Sequence, residues 1–331
     1  MATVLVTGVG GVGGTSTVRW LAEHTAFDLI GVDMNPRARG FLDLDRCETV
    51  PPAADPAWAD AMADLVTRYD VDCVIPLVDA ELARLGPLRE TLPSTVRIVA
   101  PTERAIERTL DKRRFADWLA TTDLLAPATW CPDDDTDLTS IPVEYPAVVK
   151  PRHGHGSTGV ERVDSPAGLR AYFDLFTYEP GDVVVQQFVD GAEFTASVVA
   201  TRDNDVLAIV PKRVVESDGN TTWGVTHNNT GVAETCRRLH DALSPRGPLN
   251  VQLIVDDRGN PLVIEANPRF SSTACLTARA GVDELSLLVK DALGESVTPT
   301  EFTADVHLIR AVSDRFVSGN HLSGQSHPDE R

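Results

Sequence analysis

Two apolar stretches late in the chain, Asn250-Val251-Gln252-Leu253-Ile254-Val255 and Leu262 through Phe270, flank the polar turn Asp256-Asp257-Arg258-Gly259-Asn260 and read as a hairpin. Glu265 and Asn267 alternate with apolar neighbours at period two, so they and Gln252 face one side of it. One carboxylate and two amides on a common face suit a hard cation. Such oxygen donors hold Mg²⁺ through few protein contacts and leave its other positions to water and phosphate. Taken alone, the hairpin reads more plainly as an edge with a polar, solvated face.

The cations are as selective as the anions. Only four lysines occur, Lys112, Lys150, Lys212 and Lys290, and arginine supplies the remaining positive charge. Lys150 ends the strand Pro146 to Lys150 and precedes a loop carrying Gly154, Gly156, Ser157 and Gly159. Glycines let backbone N–H groups approach a phosphate closely, and the lysine adds a point charge. His153 and His155 lie in this loop without a carboxylate beside them, so they read as ordinary loop residues, and no nucleophile elbow surrounds Ser157. Further on, the strand ending Gln186-Gln187-Phe188-Val189 turns through Asp190-Gly191 into a strand that begins near Glu193. Such a turn can offer backbone amides to an adenine edge, with Glu193 accepting from ribose hydroxyls.

The elements that must carry these groups fall into two textures. From Thr3 to Ala100 strands and helices alternate: strands at 3–9, 27–32, 72–77 and 97–100, and helices at 12–21, 58–69 and 80–92. That is a parallel, doubly wound pattern. Its first turn, Gly8 to Gly14, and Asp33 at the end of the second strand have the outline of a dinucleotide site. A linker-like stretch from Pro127 to Pro142 interrupts the pattern, and beyond it the strands pair in antiparallel fashion, at 147–150, 160–163, 183–188, 193–200 and 206–215, before the hairpin. A helix is expected over 276–293, and residues 312–331 read as a polar tail with a disordered composition.

With 331 residues, 42% of them hydrophobic, the chain is long enough for two or three globular domains. A net charge of −19 repels a nucleic-acid backbone while leaving room for a local basic pocket. No run is apolar enough for a membrane span, and the N-terminus enters a strand without the charged and apolar regions of a leader, so the expected location is the cytoplasm. The five cysteines are scattered without zinc or redox spacing and are expected to be reduced.

In this order the motifs resemble the ATP-grasp superfamily, in particular the single-copy relatives of the carbamoyl-phosphate synthetase large chain. The likeness runs to about residue 295. It rests on Thr7 to Gly14, Val32-Asp33-Met34-Asn35, Cys73 to Leu82, Asp111-Lys112, the loop after Lys150, the turn near Glu193, and Glu265-Ala266-Asn267-Pro268-Arg269. The resemblance implies a Rossmann-like domain over 1–105, a small lobe over 106–188 containing the linker-like stretch 127–142, and a C-terminal lobe over 189–311. ATP is then expected between the lobes. Lys112 and Lys150 would lie on its phosphates under a lid at Gly154, Gly156, Ser157 and Gly159. Gln186, Gln187, Phe188 and Val189 would frame adenine, and Glu193 the ribose. Gln252, Glu265 and Asn267 would hold Mg²⁺, or Mn²⁺ in its place. Lys212 would face the same cleft, and Arg269, Ser271 and Ser272 would meet the substrate end, with Lys150 and Arg269 as the catalytic pair.

The implied chemistry is carboxylate activation to an acyl phosphate followed by attack of an amine, or of a thiol. The expected partners are ATP, a small carboxylate and a small amine, with a homodimer left open. Gln186-Gln187 stands where many relatives carry a glutamate, and with one grasp unit and no glutaminase segment in this sequence, carbamoyl-phosphate synthesis from glutamine is not expected. Three other readings stay open at this point. They are a carboxyphosphate-type or other phosphoryl-forming enzyme, a non-catalytic nucleotide-binding protein, and an NAD-dependent oxidoreductase built on Gly8 to Gly14 and Asp33. Asp79 and Glu81, after the strand 72–77, are candidates for binding a substrate amine or for capping a helix.

Overall fold

The computed structural model describes residues 1–133, 142–154 and 156–317. Part of the expected linker (134–141), His155 and most of the expected polar tail (318–331) lie outside the described residues. The first sheet is parallel, built from β1 (Thr3–Thr7), β2 (Asp28–Asp33), β3 (Cys47–Thr49), β4 (Cys73–Ile75) and β5 (Arg97–Ile98), in the order β3-β2-β1-β4-β5. The order reverses direction between β1 and β4, so the crevice beyond Thr7 and Ile75 is a topological switch point, where open α/β sheets bind ligands.

A second sheet comprises β6 (Thr129–Trp130), β7 (Ala147–Pro151), β8 (Glu161–Val163) and β9 (Val183–Gln187), in the antiparallel order β6-β9-β7-β8. Its apolar face, with Ala147, Val149, Val183 and Val185, packs on Leu169 and Tyr172 of the helix Pro166–Leu175. That helix starts at a Ser165 cap followed by Pro166, where proline is best tolerated. Lys150 and Val184 are register partners, as are Val148 and Gln186, so these four side chains share the opposite face.

The third sheet joins β10 (Ala192–Ala200), β11 (Val206–Ser217), β12 (Thr221–Thr226), β13 (Pro248–Val255), β14 (Pro261–Asn267) and β15 (His307–Ile309), in the antiparallel order β14-β13-β10-β11-β12-β15. Alternation along β10 and β13 divides it. Phe194, Ala196, Leu249, Val251 and Leu253 enter a core with the helix Thr230–Leu243, while Thr195, Ser197, Asn250 and Gln252 occupy the other face. Phe115, Leu119 and Leu124 join that same core. Residues read from sequence as part of the small lobe thus pack on the large sheet, because the helix Lys112–Leu119 presents its apolar side there.

Two long helices of the sequence reading are broken. The segment 80–92 forms Asp79–Leu82 and Leu85–Thr91, because Pro87 cannot donate a helical hydrogen bond and clashes with the preceding turn. The segment 276–293 forms Ala274–Arg279 and Glu284–Ala292, interrupted at Gly281 with φ +107° and restarted by an Asp283 cap. No helix among the described residues is long and apolar enough to cross a membrane. All five cysteines are free thiols, with Cys73 and Cys236 buried and the other three partly so.

Candidate active site

The hairpin faces the space between the second and third sheets. Gln252 pairs with Glu265 and Asn250 with Asn267 across β13 and β14. A one-residue bulge re-phases the strand: Val263 opposes Leu253 in the core, Ile264 is the unpaired residue, and Glu265 opposes Gln252 on the cleft side. Consecutive residues Ile264 and Glu265 therefore line the same cavity, giving it an apolar floor beside a carboxylate. Asn250, which the sequence places in the hairpin but not among the candidate ligands, belongs to this face and accepts from Thr195 Oγ1 at 2.6 Å. Its signal was available, since it lies two residues before Gln252 on the same strand. Among the described residues no three His, Cys, Asp or Glu side chains cluster as a metal site. A divalent ion here would be held by Glu265 with the amide oxygens of Asn267 and Gln252, a hard-oxygen set that fits Mg²⁺.

Opposite this face stand two lysines. Lys150 is buried and donates to the neutral Gln186 Oε1 at 2.8 Å, and Gln186 Nε2 in turn donates to Thr129 Oγ1 at 2.9 Å. Burial pushes the Lys150 ammonium down to about 8, and nearby Lys112 adds to this while Glu265 and Glu193 oppose it. Lys112 Nζ lies 3.6 Å from Glu265 Oε1 and donates to the Gly154 carbonyl at 3.3 Å. Its helix is fixed by Asp111, whose carboxylate caps Arg113 and Arg114 N–H groups and takes a bidentate pair from Arg152 at 2.8 and 2.6 Å. Two ammonium groups, one with only an amide partner, thus converge on a cavity of about 240 Å³. That is the charge pattern of an anion site.

Gly154, Gly156 and Ser157 line this cavity, while the Gly159 carbonyl accepts from Tyr172 OH at 2.8 Å and anchors the loop to the core of the second sheet. The turn between β11 and β12 meets the loop from the other sheet: a Cβ on Gly219 would come 2.6 Å from the Gly156 carbonyl, so only glycine permits this approach. Ser217, Asn220 and Thr221 complete that wall. Glu193 also lines the cavity, its carboxyl raised by burial against the opposing charge of Lys150. Gln186 lines an adjoining cavity with Phe115, Leu119, Val184 and Ile264. Gln187, Phe188 and Val189 line neither. The N–H groups of Gln187 and Phe188 donate to Ala128 and Pro146 carbonyls, and Arg162 stacks over Phe188.

Arg269 reaches from the end of the hairpin into the first sheet's switch point, where Nε donates to Asp79 Oδ1 at 2.6 Å. Neither Asp79 nor Glu81 caps the helix Asp79–Leu82, whose N-cap is Val78. The Glu81 carboxyl, buried and pushed up to about 7 by desolvation, accepts from Thr7 Oγ1. Ser271 and Ser272 border the cavity beside Arg269. The Ser271 hydroxyl is engaged by Thr273, and the Ser272 carbonyl accepts from Arg310 Nη2. The glycine-rich first turn serves packing: a Cβ on Gly13 would come 3.2 Å from Ser272 Cα, and Asp33 accepts from the N–H groups of Gly10 and Asn35. The carboxylate expected on a ribose in the dinucleotide reading is thus spent on its own loop.

Lys212 departs from expectation. It is register partner to Thr195 and so lies on the cleft face, but the helix Ala274–Arg279 covers it. Fully buried, it donates to Ser197 Oγ at 2.7 Å and Thr277 Oγ1 at 2.9 Å, and Ser197 donates to Glu284 at 2.7 Å. Burial drives Lys212 down to about 8 and Glu284 up, each partly restored by the other. Lys212→Ala strands Glu284 and is expected to cost about 3 kcal/mol of stability. The same variant should leave nucleotide affinity within about twofold, since sites without shared partners act independently. Urea unfolding and nucleotide titration on one preparation check both halves.

Comparison with known proteins agrees with this fold. Residues 109–273 match the ATP-grasp domain family and residues 4–98 the PylC-like N-terminal domain family. The chain is 27% identical over 230 residues to the carbamoyl phosphate synthase large chain of Corynebacterium glutamicum; the match takes in 62% of this chain and 21% of that one. It thus spans about a fifth of that relative's length. Among solved structures, N5-carboxyaminoimidazole synthetase from Staphylococcus aureus complexed with ADP superposes with a TM-score of 0.71 at 16% identity, covering 91% of this chain and 80% of the other. L-amino acid ligase from Bacillus licheniformis does so with a TM-score of 0.67 at 20% identity, covering 88% and 74%. With the parallel first sheet, the two antiparallel sheets and the cleft between them, the chain belongs to the ATP-grasp proteins, as a PylC-like N-terminal domain joined to an ATP-grasp domain.

Proposed function

We propose that the protein is an ATP- and Mg²⁺-dependent ligase that joins a small-molecule carboxylate to an amine and releases ADP and phosphate. The observation that carries this reading is the convergence of Lys112 and Lys150 on the same cavity as the Gln252, Glu265 and Asn267 face. Cations opposite a hard-oxygen face are what a triphosphate with its metal requires. We assign Lys112, Lys150, Gly154, Gly156 and Ser157 to the phosphates, Gln186 and Ile264 to the adenine end, and Glu193 to the ribose. The division into a domain at 1–105 and lobes at 106–188 and 189–311 is part of this proposal, with the helix Lys112–Leu119 leaning on the large lobe.

Phosphoryl transfer asks for position and charge neutralisation more than for a protein nucleophile. Mg²⁺ held by Glu265, Asn267 and Gln252 would supply part of that neutralisation. Lys150 and Arg269 supply the rest from fixed positions, and the close approach of Gly219 to the Gly156 carbonyl sets the loop residues Gly156 and Ser157 against the opposite wall of the cleft. In the reaction, a substrate carboxylate oxygen bonds to the γ-phosphorus as the bond to ADP breaks. The amine then attacks the acyl carbon, phosphate leaves, and the amine loses its proton.

The test is a screen of small carboxylates paired with amines for ADP release with Mg²⁺. ADP release that requires both partners, with a phosphate-free condensed product, is the expected result. A protein that binds ATP but releases no ADP with any pair is a nucleotide-binding protein instead. The similarity to the carbamoyl phosphate synthase large chain favours a second reading, carboxyphosphate formation, which ADP release with bicarbonate alone would select.

A further inference from the structure

Arg269 and Asp79 are 190 residues apart in sequence and come from different domains, yet their side chains form a forked ion pair, Nε to Oδ1 at 2.6 Å and Nη2 to Oδ2 at 3.4 Å. Both are largely sheltered, with 18% and 17% of their side chains exposed, so water screens the pair only partly. Asp79 is itself held in place. It opens the short helix Asp79–Leu82 directly after β4, and that helix is tied to the end of β1 through Thr7, whose hydroxyl donates to Glu81 and accepts from Leu77 N–H at 3.1 Å. Arg269 Nη1 additionally donates to the Phe270 carbonyl at 3.4 Å. Arg269 lines the cavity on the side of Ser271 and Ser272, so the fork that faces Asp79 also sets where the rest of the guanidinium points. A free arginine on this loop would sample many rotamers, and a planar fork with two fixed acceptors samples one.

We propose that Asp79 is a positioning residue for Arg269: the N-terminal domain orients the guanidinium that meets the γ-phosphate end of the nucleotide in the ATP-grasp cleft. The proposal rests on the ligase reading, because it takes Arg269 to face the reacting phosphate. It gives the switch point of the first sheet a task that neither domain can perform alone. It also accounts for an aspartate at the first position of a helix that it does not cap.

The experiment is a double-mutant cycle on binding, so that it does not depend on knowing the substrates. Dissociation constants for ADP and for a non-hydrolysable ATP analogue, both with Mg²⁺, are measured by calorimetry for the full chain and for Asp79→Asn, Asp79→Glu, Arg269→Ala and the double variant Asp79→Asn with Arg269→Ala. Thermal melting of each reports folding. The ratio of the two constants isolates the γ-phosphate. Asp79→Asn and Arg269→Ala are each expected to lower the preference for the triphosphate by about tenfold, as befits loss of a charge-assisted pair. The double variant should be no worse than Arg269→Ala, and Asp79→Glu should recover part of the preference. An unchanged ratio in Asp79→Asn, or losses that simply add, overturns the positioning role while leaving the ligase reading in place. Wild-type protein that binds neither nucleotide sinks the ligase reading, and the positioning role falls with it.

Discussion

Glu265→Gln is expected to lower Mg²⁺-dependent ADP release roughly hundredfold without unfolding the protein. The substitution keeps the shape and one oxygen donor, so the β13–β14 register and the core behind it, Val251, Leu253, Val263 and Ala266, are untouched. What disappears is the carboxylate that stands between the amides of Gln252, Asn250 and Asn267 on the hairpin, and with it most of the attraction for a divalent ion. Two opposite shifts make the result diagnostic. Glu265 also lies 3.6 Å from Lys112 Nζ, so neutralising it removes a negative charge from the proposed phosphate site and releases the lysine. Binding of metal-free ATP should therefore stay equal or tighten, while the gain on adding Mg²⁺ shrinks. Nucleotide titrations with and without Mg²⁺ check this. A variant that keeps the full Mg²⁺ gain would remove Glu265 from the metal site.

That this hairpin could be read from sequence, and Arg269's partner could not, has a physical cause. Alternation at period two declares which residues share a face, so Gln252, Glu265 and Asn267 were legible together. The bulge at Ile264 was not, because nothing in an apolar-polar string marks where one extra residue re-phases a strand. Lys212 shows the same limit from the other side: its face was legible, but the helix Ala274–Arg279 that seals it is a matter of tertiary packing. The parallel first sheet was legible because its strands and helices alternate locally. β15 and Arg310 were not, since that arginine gathers Thr221, Ser16 and Ser272 from three distant segments. The helix Thr230–Leu243 does carry a local signal, an Asn229 cap followed by Val232, Cys236, Leu239 and Leu243 on one side.

Lys150→Met separates function from stability in opposite directions. Retaining the apolar stem but deleting the ammonium is expected to weaken ATP binding about tenfold and turnover about a hundredfold, because the proposed phosphate site places this buried charge in a low-dielectric environment. Stability should move the other way. In the ligand-free protein the ammonium is buried against a neutral amide, and burial has depressed its value from the model-compound 10.5 to about 8. A folded value below the unfolded one means that the native state binds fewer protons between about 8 and 10.5, so ligand-free stability rises as pH climbs through that window. At pH 7 the charge costs the fold on the order of 3 kcal/mol, and Met removes that cost less what Gln186 loses when its donor goes. ATP affinity of the wild type should fall as pH passes about 8, where the empty site gives up its charge, and this dependence should flatten in Lys150→Met. Chemical denaturation and ATP titration at pH 7 and at pH 9.5 test both slopes. A variant that loses stability at pH 7, or keeps the wild-type affinity, would show that the ammonium is a structural cation and that the phosphates lie elsewhere.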